Sequence, residues 1–245
     1  MDISIIADNL PIYLEGLKNT LIMMLASLVI GLLAAIPLAI LRTSKNLFIQ
    51  LPIRAFVYFF RGTPLLVQLY IVYYGFGQFD IFKQSIFWPL FREAYFCAIF
   101  TFALNTCAYT IEIIRGSIIA TPHGEIEAAL AAGMSRFTMF RRIILPSAFR
   151  RALPAYGNEI IFTLHGTAMA SVITIIDITG AAHLVKNRYY STYEAFMAAA
   201  ILYMAITFVL VFFIKKLEKR WNAHLKPQTE EPPVIEAPVI EAPPQ

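Results

Sequence analysis

The residue best placed for unusual chemistry is Glu159. It stands inside a 25-residue stretch, 152–176, that holds no other Asp, Glu, Lys or Arg. Five positions from the middle of that stretch, it lies ~7–8 Å off centre at about 1.5 Å per residue. A carboxylate in so apolar a helix costs at least ~2.5 kcal/mol and is kept where it faces a cavity or a partner. Moving in fours from Glu159 gives Thr163, Thr167 and Ser171, with Asn158 beside it, a polar strip on a helix otherwise rich in Ile, Phe, Leu, Ala and Met. An anionic group with hydroxyls above it suits a ligand carrying an ammonium or guanidinium. The same residues would also serve a structural ion pair with a basic group of a partner chain, or a helix–helix hydrogen bond. His165, six positions on, points about 120° away from Glu159, so the two make no acid–base pair, and His165 is assigned to packing or a helix contact. Cys97 and Cys107 have neither metal-ligand spacing nor the look of a disulfide framework, and read as small buried hydrophobes. No Gly-rich loop ending in Lys-Ser/Thr is present, so the sequence offers no P-loop for binding a nucleotide.

The elements that must hold these groups are apolar blocks bounded by charge. Of 245 residues, 58% are hydrophobic and 15% charged, far from the roughly 25% charged of a soluble domain. Uncharged runs fill the gaps between Lys18 and Arg42, Arg61 and Asp80, Glu93 and Glu112, and Glu194 and Lys215; the block holding Glu159 is the fourth in order. Each approaches the ~20 residues that cross ~30 Å of hydrocarbon. The expectation is an all-α integral membrane protein with five transmembrane helices, the third running past Glu112 to Arg115. Asp2 and Asp8 in place of a basic opening, and a first block long enough to span, argue against a cleavable signal peptide. Pro37 falls near the inner end of the first span, where a kink is tolerated.

With the N-terminus outside, fifteen Lys and Arg fall on inner segments and five on outer ones, a strong positive-inside bias. The basic balance therefore reports topology and not nucleic-acid binding. Residues 1–18 then form an outer N-terminal segment, and 19–226 the transmembrane domain. Span two opens at Arg61-Gly62-Thr63-Pro64. Phe87 and Trp88 in the 80–93 loop, and Tyr189, Tyr190 and Tyr193 in the 178–193 loop, suit the headgroup level of the outer face. The Pro- and Glu-rich end, 227–245, repeats Val-Ile-Glu-Ala-Pro at 234–238 and 239–243 and is expected to be disordered.

The longest inner loop, 116–150, carries Glu127-Ala128-Ala129, three residues, Gly133, nine residues, Ile143, one residue, then Leu145-Pro146. Pro122 is expected to start a short helix over 125–132 whose alanines permit close approach of another surface. Gly133 supplies a reversal through positive φ. Ser135 caps a second helix over 136–145 that leads to Pro146. Such a knob fits a cleft of a soluble partner.

This loop resembles the EAA signature of membrane subunits of ATP-binding-cassette importers, matched at every position before the penultimate span. Arg61-Gly62-Thr63-Pro64, Leu104-Asn105-Thr106-Cys107-Ala108-Tyr109, Pro122-His123-Gly124-Glu125-Ile126-Glu127-Ala128-Ala129 and Ile144-Leu145-Pro146-Ser147-Ala148 look like the polar-amino-acid uptake permeases. More narrowly, the chain resembles the M-type subunits of histidine/lysine-arginine-ornithine and opine importers, a match that Glu218-Lys219-Arg220-Trp221 and His224-Leu225-Lys226-Pro227 strengthen. The Pro/Glu end departs from that pattern. The resemblance implies a type I importer permease fold in a bacterial inner membrane and a heterodimer with a homologous second permease. It implies a cytoplasmic ATPase dimer, a periplasmic solute-binding protein, and an amino acid or opine ligand. ATP-Mg would be bound by the ATPase, leaving this chain without a cofactor, and residues 121–146 would be the coupling loop. The resembling importers have an Asn-Glu pair where Asn158 and Glu159 stand, on a span that lines the translocation cavity. Asn105 and Glu112 are expected to be interhelical or interface groups. A membrane-embedded enzyme would need paired catalytic groups in the spans, and Glu159 and His165 point apart; a secondary transporter would need more spans or inverted repeats and leaves the 127–146 pattern unexplained.

Overall fold

The computed structural model describes residues 3–221, all of whose regular elements are helical. The repeat-bearing segment 227–245 and the last residues assigned to the transmembrane domain lie outside them. A short helix α1 (Ile3–Asp8) is followed by α2 (Leu10–Arg42), 33 residues long and so about 50 Å from end to end. Buried Asn9 makes the junction: its Nδ2 donates to the Ile5 carbonyl oxygen at 2.8 Å, and its Oδ1 accepts from Arg188 at 3.3 Å. Residues 10–18, read from the sequence as part of an outer segment, continue into the first span without a break.

The next stretch differs from expectation. Residues assigned to an inner loop form a helix, α3 (Leu47–Gly62), whose N-cap Asn46 accepts from the Phe48 amide at 3.0 Å. Its Ile53 and Val57 are buried against the ends of α2 and α7. Thr63-Pro64 then breaks the chain, because proline has no N–H and drives its predecessor to extended backbone; Thr63 has φ −115° and ψ 143°. The following helical run α4 (Leu65–Gln78) turns away by 105°. Two short helices, α5 (Asp80–Lys83) and α6 (Trp88–Phe91), carry part of an aromatic cluster in which Phe76, Phe82, Phe91, Phe96 and Phe100 pack at ring-centroid distances of 4.9–5.9 Å.

Helix α7 (Ala94–Ile119) is the axis of the molecule, packed by α2, α3 and α10. It runs four residues past Arg115. Small side chains allow α2 to lie close: a Cβ added to Gly31 would stand 2.5 Å from Thr106 Cγ2 and 3.0 Å from the Ala103 carbonyl oxygen, the close approach that membrane helices favour. At the end of α7 the loop helix α8 (His123–Ala131) and a turn of helix α9 (Arg136–Met139) follow. A widened π turn, Phe140–Ile144, leads from α9 into α10 (Leu145–Gly166).

The sequence places the second loop helix over 136–145, before Pro146. Instead it is continuous with α10. The π turn explains this, since a proline lacks its N–H and crowds the carbonyl four residues back, and a looser turn relieves both. The fourth span is likewise not one helix over 152–176. It tightens to 3₁₀ at Thr167–Ile173, passes left-handed Thr174 (φ 73°) and restarts as α11 (Ile178–Tyr189). Asp177 caps α11, accepting from the Gly180 amide at 2.8 Å, the Thr179 amide at 3.2 Å and Tyr203 Oη at 3.0 Å. The last helix is α12 (Thr192–Trp221). By length and composition α2, α7 and α12 can each cross a membrane alone, and the count reaches five if each bent pair, 47–78 and 136–189, makes one crossing.

Candidate functional site

Glu159 and Thr163 line a cavity of about 270 Å³ together with Leu65, Phe102, Asn105, Tyr109 and Phe162. Three elements build it: α7, α10 and the start of α4. Glu159 is 5% exposed. Thr163, one turn on from Glu159, shares that lining, and the Thr106 hydroxyl of α7 is buried without a hydrogen-bond partner among the described residues. Among the described residues no ion pair involves Glu159. Arg61 is positioned by the break after α3: it stands in the last turn of that helix, with its Cζ 5.0 Å from the centre of the Tyr109 ring. The break itself is stitched by amides. Gln68 Nε2 donates to the Phe60 carbonyl oxygen at 2.8 Å and to Thr63 Oγ1 at 2.8 Å, while Asn105 Nδ2 donates to Gln68 Oε1 at 3.0 Å. Asn105 is thus both interhelical tie and cavity wall. Glu112 is an interhelical group as expected, held by Arg115 at 2.8 Å and facing Arg42 of α2 at 3.5 Å.

The sequence-derived strip is only partly assembled. Asn158 is exposed, a step around the helix from the cavity lining. Thr167 is fully buried and its hydroxyl donates to the Leu164 carbonyl oxygen at 2.7 Å. Ser171 does the same to Ala168 at 2.9 Å. The strip assumed α-helical periodicity throughout, but from Thr167 the chain turns about 120° per residue, which carries Ser171 ~80° away over four residues. His165 is exposed and outside the cavity. Arg61, Tyr109, Phe102 and Leu65 received no role from sequence. The signal that could have found two of them was the Gly-Thr-Pro break, which brings Arg61 and Leu65 to the same corner.

The loop centred on Gly133 is a compact hairpin of helices. Gly133 has φ +76°. Its amide donates to the Leu130 carbonyl oxygen at 2.9 Å, and the Met134 amide to that of Ala129 at 3.1 Å, a Schellman C-cap that satisfies two terminal carbonyls of α8. Ser135 caps the following turn, its Oγ accepting from the Thr138 amide at 3.3 Å. Ala129 is buried in the same core as Met139 and Ile144. Ile143 and Leu145 are half-buried, while Glu127, Ala128 and Pro146 are exposed. Leu130 and Phe137, 51% and 73% exposed, flank the reversal and leave it an apolar crest.

Residues 27–223 match the family described as binding-protein-dependent transport system inner membrane component. The chain belongs to that family. Among curated members, it is 44% identical over 227 residues to the nopaline transport system permease protein NocM of Agrobacterium fabrum, covering 92% of this chain and 94% of that protein. To the histidine/lysine/arginine/ornithine transport system permease protein HisM of Escherichia coli it is 47% identical over 215 residues, covering 87% and 90%. A solved structure described as an amino acid ABC transporter with histidines superposes with a TM-score of 0.81 at 32% identity, over 90% of this chain and 99% of that one. The MetNI methionine ABC transporter, at 18% identity and a TM-score of 0.70, shares the fold. This inner membrane component is therefore a transport subunit with the type I importer permease fold, and not an enzyme. Its relatives work with ATPases and a binding protein.

Proposed function

We propose that this permease passes a polar amino acid with a cationic side chain, or an opine, across a bacterial inner membrane through the cavity at Glu159. Its partners on this reading are a homologous second permease, a cytoplasmic ATPase dimer that binds ATP-Mg, and a periplasmic solute-binding protein. The observation that carries the reading is a half-built recognition site: a buried cavity-lining carboxylate without an ion-pair partner among the described residues, and a guanidinium, that of Arg61, over the ring of Tyr109, which lines the same cavity. An amino acid ligand completes both. Its ammonium or guanidinium meets Glu159, with the Thr163 hydroxyl alongside, and its carboxylate meets Arg61, the planar donor best suited to that group. The volume, about 270 Å³, stands near the lower end of ligand pockets, ~300–1,000 Å³, and fits one amino acid better than a peptide. The names of the nopaline and histidine/lysine/arginine/ornithine relatives support the same ligand class. The 127–146 loop, with its exposed apolar crest, is the surface that meets the ATPase.

The test is Glu159→Gln in the assembled complex, read by uptake of labelled arginine and octopine. The substitution keeps size and removes charge. A hydrogen bond to a charged group is worth ~1.5–3 kcal/mol, so affinity in the cavity should weaken by about one to two decades while complex yield holds. Loss of yield instead would mark Glu159 as half of a structural ion pair with the partner permease, because a lone buried charge costs ~3–5 kcal/mol. Unchanged uptake and yield would eliminate the ligand role.

A further inference from the structure

One guanidinium ties together both ends of the loop that carries α8. Arg151 of α10 donates from Nε and Nη2 to the Ser117 carbonyl oxygen at 3.3 and 3.1 Å, from Nη2 to Thr121 Oγ1 at 2.7 Å, and from Nη1 to Ser147 Oγ at 2.5 Å. Ser117 belongs to the last turn of α7, where carbonyls lack helical partners and the helix dipole favours a cation. The Thr121 amide, which an unbroken helix would offer to Ser117, turns to Ile118 at 3.2 Å, leaving the Ser117 carbonyl to the guanidinium. Thr121 is 6% exposed and directly precedes Pro122, the N-cap of α8. Among the described residues no carboxylate pairs with Arg151. Its charge is met by neutral acceptors on three sides, an arrangement that fixes geometry and that only a planar, many-donor group can make.

The covalent route from the loop into α10 runs through the π turn Phe140–Ile144, a wide turn and a place where helices yield. Arg151 bypasses that turn, gripping α10 directly from the α7–α8 junction. Glu159 follows eight residues along the same helix, about 12 Å away. We infer that Arg151 is a positioning residue that locks the docking loop to α10, so that movement imposed on α8 reaches the Glu159 cavity through one helix. The inference rests on the transport reading above and adds to it the path by which partner and cavity are coupled.

The test uses the full complex in proteoliposomes with its solute-binding protein, comparing wild type with Arg151→Lys. Lysine keeps the charge but cannot span three acceptors. The readout is the ratio of ATPase rate with binding protein loaded with arginine to the basal rate, together with arginine uptake and complex yield. The ratio and the uptake should fall at least about fivefold, the low end of ordinary coupling between sites, with basal rate and yield retained. A ratio equal to that of wild type overturns the inference. So does a loss of ATPase from the complex, which would make Arg151 a fold-holding group. Should the Arg151→Lys permease itself fail to insert, Thr121→Val removes one acceptor and leaves the guanidinium, and an unaltered ratio there also overturns it. A wild-type complex that neither responds to its binding protein nor takes up arginine would overturn the transport reading and this inference together, a result distinct from a normal Arg151→Lys complex.

Discussion

Glu159 lines the cavity and Arg61 lies over the ring of its neighbour in the lining, Tyr109, and on the proposed reading each should be read by a different end of the ligand. Arg61→Gln removes the guanidinium but leaves the Tyr109 face in place. Uptake of arginine should fall by about tenfold, the low end for losing a hydrogen bond to a charged group. Competition by its decarboxylated amine, which has no carboxylate to offer, should be nearly unchanged. Equal effects on both would remove Arg61 from ligand recognition. Half of this pair was visible in one dimension. A carboxylate in a charge-free block announces itself, and Glu159 and Thr163 needed only α-helical spacing to be placed side by side. Arg61 and Tyr109 came from other helices, α3 and α7, whose packing hydropathy does not encode, and Leu65 joins them only after a 105° bend. Thr167 and Ser171 were misplaced for a local reason, since a change from α to 3₁₀ rotates every later side chain without altering composition.

At the level of elements, the loop hairpin is the part most fully legible beforehand, because its residues act on their own neighbours. Pro122, Gly133 and Ser135 each set the backbone within a few positions of themselves, and the structure has them at an N-cap, a left-handed C-cap and a second N-cap. Gly133→Val places a β-branched residue at φ +76°, a strain of order 1–3 kcal/mol. The Schellman turn should open and Leu130 and Phe137 should no longer share a crest. Co-purification of the ATPase should drop severalfold while the permease still inserts. Normal co-purification would show that the hairpin is not the docking surface. Helix α3 was hidden for the opposite reason. Arg54 and Arg61 were counted among the basic residues of an inner segment, yet Ile53 and Val57, four apart, were enough to bury one face.

For the whole molecule, the count of basic residues leads to a directional expectation. A reporter fused after Phe140 should be cytoplasmic, and one fused near Val185 external. Both on one side would sink the five-crossing arrangement, whichever way each bent pair lies. The three unbroken spans were legible from uninterrupted apolar length, whereas the bent ones required tertiary support that length cannot report. That support has an order in time. The N-terminal part of α2 holds the irregular stretch before α11: Asn19 Nδ2 donates to the Ile176 carbonyl oxygen at 2.8 Å, Thr20 Oγ1 accepts from the Ile178 amide at 3.3 Å, and Gly16 leaves room for the Asp177 carbonyl, which an added Cβ would meet at 2.6 Å. Non-helical backbone at membrane depth is tolerated only when covered by protein. Ile178 is made 158 residues after Thr20, so at ~5–20 residues per second the first helix waits in the bilayer for roughly ten to thirty seconds before its polar groups find their use. A Gly16→Leu chain should therefore insert its first helix normally and fail only once residues 176–178 have to dock on it, a delay that protease protection of pulse-labelled chains would register.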